Sequence, residues 1–155
     1  MNDESNVAVQ RTLLTAQIIG VALVLGVAIF LAVILFVRQD KPPAGNEMIS
    51  YFGVVFAIMA MGAATVVPTM AAKAGVKSLA EAASIESLAG VFQTSTIIRG
   101  ALIEGAAFLN GTFFLIYGEW LSFAVTGILL AALIFYVPTR ARFLDWLQQQ
   151  RESSL

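Results

Sequence analysis

Three polar side chains that could do chemistry, Arg99, Glu104 and Asn110, lie inside one otherwise apolar stretch of the sequence. At about 1.5 Å per residue of helix, Glu104 would lie roughly 12 Å beyond Thr96, where the stretch begins. An acid at that depth in a bilayer is costly unless it pairs, takes up a proton or faces a polar cavity. Two interpretations stay open: Glu104 binds a proton or cation, or it is a neutral acid hydrogen-bonded within the protein.

The neighbours of Glu104 are interpreted first as structural residues. Arg99 can extend its guanidinium to the cytoplasmic headgroups, since its long stem is apolar. It lies about 140° around a helix from Glu104, which places the two poorly for pairing. Asn110 shares the face of Arg99, and an amide near mid-membrane can join helices by hydrogen bonds without titrating. If an ion does bind at Glu104, we expect Arg99 and Asn110 to tune the local field.

The residue types present exclude most familiar catalytic sites. The chain contains neither cysteine nor histidine, so zinc sites and Ser/His or Cys/His triads of the usual kind are excluded. Nine basic and ten acidic residues give a net charge of -1, which supplies no basic footprint for a nucleic acid. We therefore expect no enzymatic activity, no cofactor, no metal site and no nucleic-acid partner.

The elements that must position the three polar residues are predicted to be membrane-spanning helices. The chain is 59% hydrophobic and 12% charged, whereas soluble domains run near 45–50% and about 25%. A hydrocarbon core of about 30 Å requires roughly 20 consecutive apolar residues in a helix. Four stretches reach or approach that length, over residues 12–37, 49–72, 96–117 and 120–137. The expected fold class is an all-α integral membrane protein, a single domain of four transmembrane helices in an antiparallel up-down arrangement.

Two further segments are predicted outside these spans. Residues 73–93 alternate Ala, Leu and charged side chains at helical spacing, which predicts a cytoplasmic helical segment, either a helical extension or a surface helix. The tail over residues 138–155 places Phe143, Leu144 and Leu147 near one another on one face. With Trp146 as an anchor, it predicts a short amphipathic helix at the membrane interface.

The distribution of lysine and arginine predicts the orientation of the chain, because cytoplasmic loops carry an excess of these residues. The side that holds both termini and the 73–93 segment has six basic residues: Arg11, Lys73, Lys77, Arg140, Arg142 and Arg151. The opposite side has only Arg38 and Lys41. We expect a protein of the cytoplasmic (inner) membrane with its N- and C-termini in the cytoplasm.

Small residues recur at helical spacing in three of the predicted spans, which places them on one face of each helix. They are Gly53, Ala57, Ala60 and Ala64; then Gly100, Ala107 and Gly111; then Ala124, Gly127 and Ala131. Glu104 lies within the second of these stripes, which predicts that it faces another helix rather than lipid. In a bilayer, such stripes mark surfaces where helices pack closely. They indicate packing within one four-helix unit or packing between the subunits of an oligomer.

From Ile98 to Asn110, and again at Ile116-Tyr117-Gly118, the sequence resembles the second helix of the ring proteolipid, the c subunit, of rotary ATP synthases. The resemblance covers residues 49–137 and implies a hairpin whose first helix is rich in small residues and whose loop is cytoplasmic. The ion-carrying carboxylate of that family falls on Asn110, and an amide cannot bind and release a proton near neutral pH. Ordinary ring-proteolipid activity is therefore not the leading prediction.

The sequence predicts a small multi-pass membrane protein that acts as a non-enzymatic subunit or accessory component of a membrane assembly, with proteolipid-like features. Its expected partners are the lipid bilayer and either further copies of the chain or other membrane subunits. The alternative is a proton or monovalent cation conduit that uses Glu104. A membrane-embedded enzyme is the least favoured class, because one glutamate is the only acid-base group within a span.

Overall fold

The computed structural model describes residues 3–38, 47–79 and 84–152, and these form an all-helical protein. The helices are α1 (Asp3–Arg38), α2 (Glu47–Ser78), α3 (Ile85–Tyr117), α4 (Trp120–Tyr136) and α5 (Arg140–Glu152). No strand occurs in the described ranges. The all-α class is therefore confirmed.

Within the described residues, α1, α2 and α3 are each long and apolar enough to cross a membrane. The 17 residues of α4 span only about 26 Å. Taken together, α4 and α5 are long and apolar enough for one further span, but the two helices meet at a bend of 72°. The chain is accordingly a multi-pass membrane protein with three candidate spans, or four when the bent α4–α5 pair is counted as one.

The segment over residues 73–93 is divided between two helices. Its first residues are the last turns of α2, and its later residues are the first turns of α3. The Ser84 side chain caps α3 by accepting a hydrogen bond from the backbone N–H of Ser87, which satisfies a donor that has no partner within the helix. Residues 80–83 lie outside the described part. The helical spacing predicted there belongs to the ends of two long helices, because each helix continues past its apolar stretch.

Helix α3 occupies the centre of the molecule and packs against α1, α2 and α4. The core between these four helices is built mainly from small and branched side chains. Its buried members are Val27 and Leu31; Ala57, Ala60 and Ala64; Ile103, Ala106 and Ala107; and Leu129 and Leu133. The polar residues of α3 are therefore placed by three neighbouring helices at once.

Two features set the ends of α4. Gly118, whose φ is 76°, closes α3 and donates its N–H to the Phe114 carbonyl at 2.8 Å, a left-handed cap that favours glycine. After Pro138 the chain turns into α5, where Phe143 is 2% exposed and its ring lies 5.2 Å from that of Phe92. A second apolar cluster thus fastens α5 to the beginning of α3.

Candidate functional site

Glu104 lies on α3 at the edge of its contact with α1. A Cβ atom added to Gly26 of α1 would lie 3.4 Å from Glu104 Oε1. The side chain is half-buried, and the neighbouring Ala101 and Gly105 are exposed. No described residue donates a hydrogen bond to this carboxylate. The acid therefore borders both a glycine of α1 and the outer surface of the bundle.

Arg99, one and a half turns earlier on α3, is held between α2 and α4. Its Nε donates a hydrogen bond to the Ala64 carbonyl of α2 at 3.0 Å. Its guanidinium carbon lies 5.1 Å from the centre of the Tyr136 ring of α4, a cation–π contact. The arginine thus joins three helices, contacting the middle of α2 and the end of α4.

Asn110 is fully buried between α2 and α3. Its Nδ2 donates to the Gly53 carbonyl of α2 at 3.1 Å and to the Ala106 carbonyl of its own helix at 3.0 Å. Its Oδ1 accepts no hydrogen bond from any described residue and lies where a Cβ atom on residue 53 would be. The absence of a side chain at Gly53 is what lets the amide reach the α2 backbone.

The three candidate residues are not brought together. Glu104 faces α1, whereas Arg99 and Asn110 face α2 at separate positions. No hydrogen bond or ion pair joins any two of them. Nor do the described residues contain a group of three or more acidic side chains that could hold a metal ion. Neither Arg99 nor Asn110 is therefore placed to assist chemistry at Glu104.

Buried hydroxyl groups form a polar contact between α2 and α4 that the sequence analysis missed. Ser50 Oγ and Ser122 Oγ are 3.0 Å apart and buried, and Thr126 Oγ1 donates to the Ser122 carbonyl at 2.8 Å. Hydroxyl-bearing residues in an apolar span can join helices by hydrogen bonds. The presence of these hydroxyl residues within two predicted spans is the sequence feature that could have indicated the contact.

The three stripes of small residues differ in their surroundings. The α2 stripe (Gly53, Ala57, Ala60 and Ala64) and the α3 residues Gly100, Ala107 and Gly111 are all buried within the chain. For example, a Cβ on Gly111 would lie 2.7 Å from Phe30 of α1. By contrast, Ala124, Gly127 and Ala131 of α4 are exposed, and no heavy atom lies within 4 Å of a Cβ placed on Gly127. The α4 stripe is therefore not used by packing among the described residues.

Comparison of the chain with protein-family models, curated proteins and solved structures finds no match. The resemblance to the ring proteolipid of rotary ATP synthases stays a prediction, carried by the residues quoted above.

Proposed function

We propose that this protein is a non-enzymatic subunit or accessory component of a membrane assembly, and that it joins its partner through the small-residue face of α4. The observation that carries the proposal is the exposure of Ala124, Gly127 and Ala131, while the stripes of α2 and α3 are buried. Lipid tails give helices no hydrophobic reason to associate, so close backbone approach at small residues is a main source of affinity. The partner is a second copy of the chain or another membrane subunit.

We infer four spans in up-down order, with both termini in the cytoplasm. Contacts along α3 support the order: Gly100 faces Leu23 and Gly111 faces Phe30, so residue numbers in α1 and α3 rise together. Along α2 they fall, since Arg99 bonds Ala64 and a residue eleven positions later, Asn110, bonds Gly53. The excess of basic residues at one end supports the orientation in the cytoplasmic membrane.

A matched pair of glycine substitutions tests the role of the α4 face. Gly127→Leu fills the exposed stripe, whereas Gly62→Leu adds the same side chain to α2, where no heavy atom lies within 4 Å of the added Cβ. Overpacking a close contact costs about 1–3 kcal/mol, so we expect Gly127→Leu to weaken association about tenfold. Energy transfer between labelled copies in vesicles, and co-purification of native partners, measure it.

Association that is equally strong in both variants would remove the α4 face as the interface. The helical content and the unfolding midpoint of each variant are measured alongside, because both substituted sites are open and neither should disturb the fold.

The second candidate is a proton or monovalent cation conduit that uses Glu104. It is favoured by one observation, namely that this acid borders the exposed surface at Ala101 and Gly105 rather than lying sealed in the core. Ion flux into vesicles is compared for the native protein and Glu104→Gln, which keeps the size of the side chain and removes its charge. Flux that is absent from both forms, or equal in both, excludes the conduit. Selective labelling of Glu104 by a lipid-soluble carbodiimide would support a protonated acid that is reached from the lipid.

A further inference from the structure

A cavity of about 390 Å³ lies between α5 and the three helices α2, α3 and α4. Three of its lining residues are cations, and they come from three different helices: Lys73 from α2, Arg99 from α3 and Arg142 from α5. The lining includes no carboxylate, and no acidic side chain of the described residues forms an ion pair with any of the three. Among the described residues that line the cavity, positive charge is therefore not balanced by an acid.

The two arginines of the cavity are held in place by the protein. Arg99 uses its Nε on the Ala64 carbonyl. Arg142 donates from Nη1 to the carbonyls of Phe135 and Val137, with its guanidinium carbon 4.7 Å from the centre of the Phe135 ring. A guanidinium has five N–H donors, so both retain donors for a ligand. Their fork geometry matches phosphate oxygens, and little rotamer freedom remains to be lost on binding.

The cavity lies at the level where the apolar parts of the helices end and polar residues begin. Lys73 directly follows the apolar stretch of α2, Pro138 ends α4, and α5 departs at 72° to α4. Tyr136 and Trp146, which also line the cavity, are residue types that concentrate at the boundary between hydrocarbon and headgroups. A ligand that reaches the cavity from the membrane would present its headgroup there.

We propose that this cavity binds the phosphate group of an anionic phospholipid headgroup, with Lys73, Arg99 and Arg142 as its charged contacts. Basic pockets between membrane helices are suited to such headgroups because each cation near the surface contributes to attraction of the anionic lipid. The required chemistry is a phosphate with net negative charge. A zwitterionic headgroup carries a balancing cation and fits less well. This site is separate from the α4 face and from Glu104.

The test compares two lysines on the same helix. Lys73→Gln removes a cavity cation whose side chain makes no hydrogen bond or ion pair with other described residues, and Lys77→Gln removes an exposed lysine that does not line the cavity. The fluorescence of Trp146 reports binding in a Trp120→Phe background, since the chain has two tryptophans. Short-chain phosphatidylglycerol, short-chain phosphatidylcholine and inorganic phosphate are titrated in turn into the full-length protein in a nonionic detergent.

We expect saturable binding of phosphatidylglycerol that Lys73→Gln weakens about fivefold and Lys77→Gln leaves unchanged, as the contribution of one surface cation implies. A response to inorganic phosphate with the same dependence on the two lysines would support the site and assign its ligand to a soluble phosphate. Equal effects of the two substitutions, or equal affinity for phosphatidylcholine, would overturn the proposal. A second matched pair, Arg142→Gln and Arg140→Gln, repeats the comparison on α5.

Discussion

Asn110 stabilises the contact between α2 and α3 through a hydrogen bond that depends on a missing side chain. The Asn110 amide reaches the Gly53 carbonyl because glycine has no Cβ atom to block the space that the amide occupies. A buried amide with one bonded group and one unbonded oxygen has little tolerance for displacement, since any movement leaves a further polar atom without a partner.

Gly53→Ala should therefore destabilise the protein more than its size suggests. The added methyl overlaps Asn110 Oδ1 and lies 3.1 Å from Phe113 Cδ2, so the amide must move away from α2. We expect the free energy of unfolding to fall by about 1–3 kcal/mol, which is the usual cost of adding a methyl group to a well-packed interior. Unfolding of the purified protein in mixed detergent micelles measures it.

Gly62→Ala is the matched control, because nothing lies within 4 Å of the added methyl and it should be neutral. Equal stability of the two variants would show that the Asn110 contact does not constrain α2. Asn110→Ala combined with Gly53→Ala should lose less than the sum of the two single losses, because the clash disappears with the amide.

The polar residues of α3 could be singled out from the sequence, but not the neighbours that they face. Arg99, Glu104 and Asn110 stand out because charge and amide groups are rare in an apolar stretch. Which helix each meets depends on the rotation of α3 against its neighbours, and this is set by distant contacts such as Gly111 with Phe30. Ser122 does not stand out in the same way, because serine and threonine occur in spans where they bond their own backbone.

At the scale of elements, α5 is the helix that depends most on tertiary contacts. It has 13 residues, a length at which isolated helices are marginal in water. Phe143 and Trp146 pack on Phe92 of α3, and their ring centres lie 5.2 and 5.6 Å, respectively, from the centre of the Phe92 ring. The same docking forms one wall of the basic cavity.

Phe143→Ala should release α5 from the bundle. Removing a buried phenylalanine typically costs about 3–5 kcal/mol, and here that loss falls on a single short helix. We expect faster amide hydrogen exchange across residues 140–149 and faster tryptic cleavage after Arg142. Leu144→Ala, at a neighbouring position that is 52% exposed, should change neither rate. Equal exchange in the two variants would contradict the docking described here.

The apolar stretches predicted the existence of the long helices but not their ends. Hydropathy marks where a helix can meet lipid, and α1, α2 and α3 continue into polar sequence beyond that limit. For this reason the sequence does not show that the 73–93 segment is divided between the end of α2 and the beginning of α3, which follows its Ser84 cap. The tight connection at Gly118 was predictable, since only two residues separate two apolar stretches.

For the whole molecule, the number of crossings decides on which side α5 lies. Four spans return the chain to the side where it started, and three leave α5 on the opposite side. The inference of four is supported by the contact of Phe143 with Phe92 near the beginning of α3, because α4 must run back along α3 for α5 to reach that end.

Labelling of single cysteines in this cysteine-free chain measures the topology directly. A membrane-impermeant maleimide applied to intact cells should modify Glu119→Cys and leave Ser84→Cys and Asp145→Cys unmodified until the membrane is permeabilised. Modification of Asp145→Cys from outside would reduce the count to three. Modification of Ser84→Cys from outside would reverse the orientation. The three positions are all at least partly exposed, so access of the reagent does not depend on unfolding.

The unequal lengths of α1 and α4 have a consequence for the surrounding lipid. The apolar stretch of α1, residues 12–37, would extend about 39 Å, whereas α4 covers about 26 Å of a hydrocarbon layer near 30 Å thick. A long helix adapts by tilting and a short one by thinning the adjacent bilayer, each at a cost of a fraction of a kcal/mol per ångström of mismatch. If α4 crosses the bilayer as the fourth span, lipid beside it would be compressed, and a second short helix placed against that side would share the compressed zone and reduce its perimeter. Bilayer thickness would then favour the proposed association at the face that carries Gly127, and we expect thicker membranes to strengthen it.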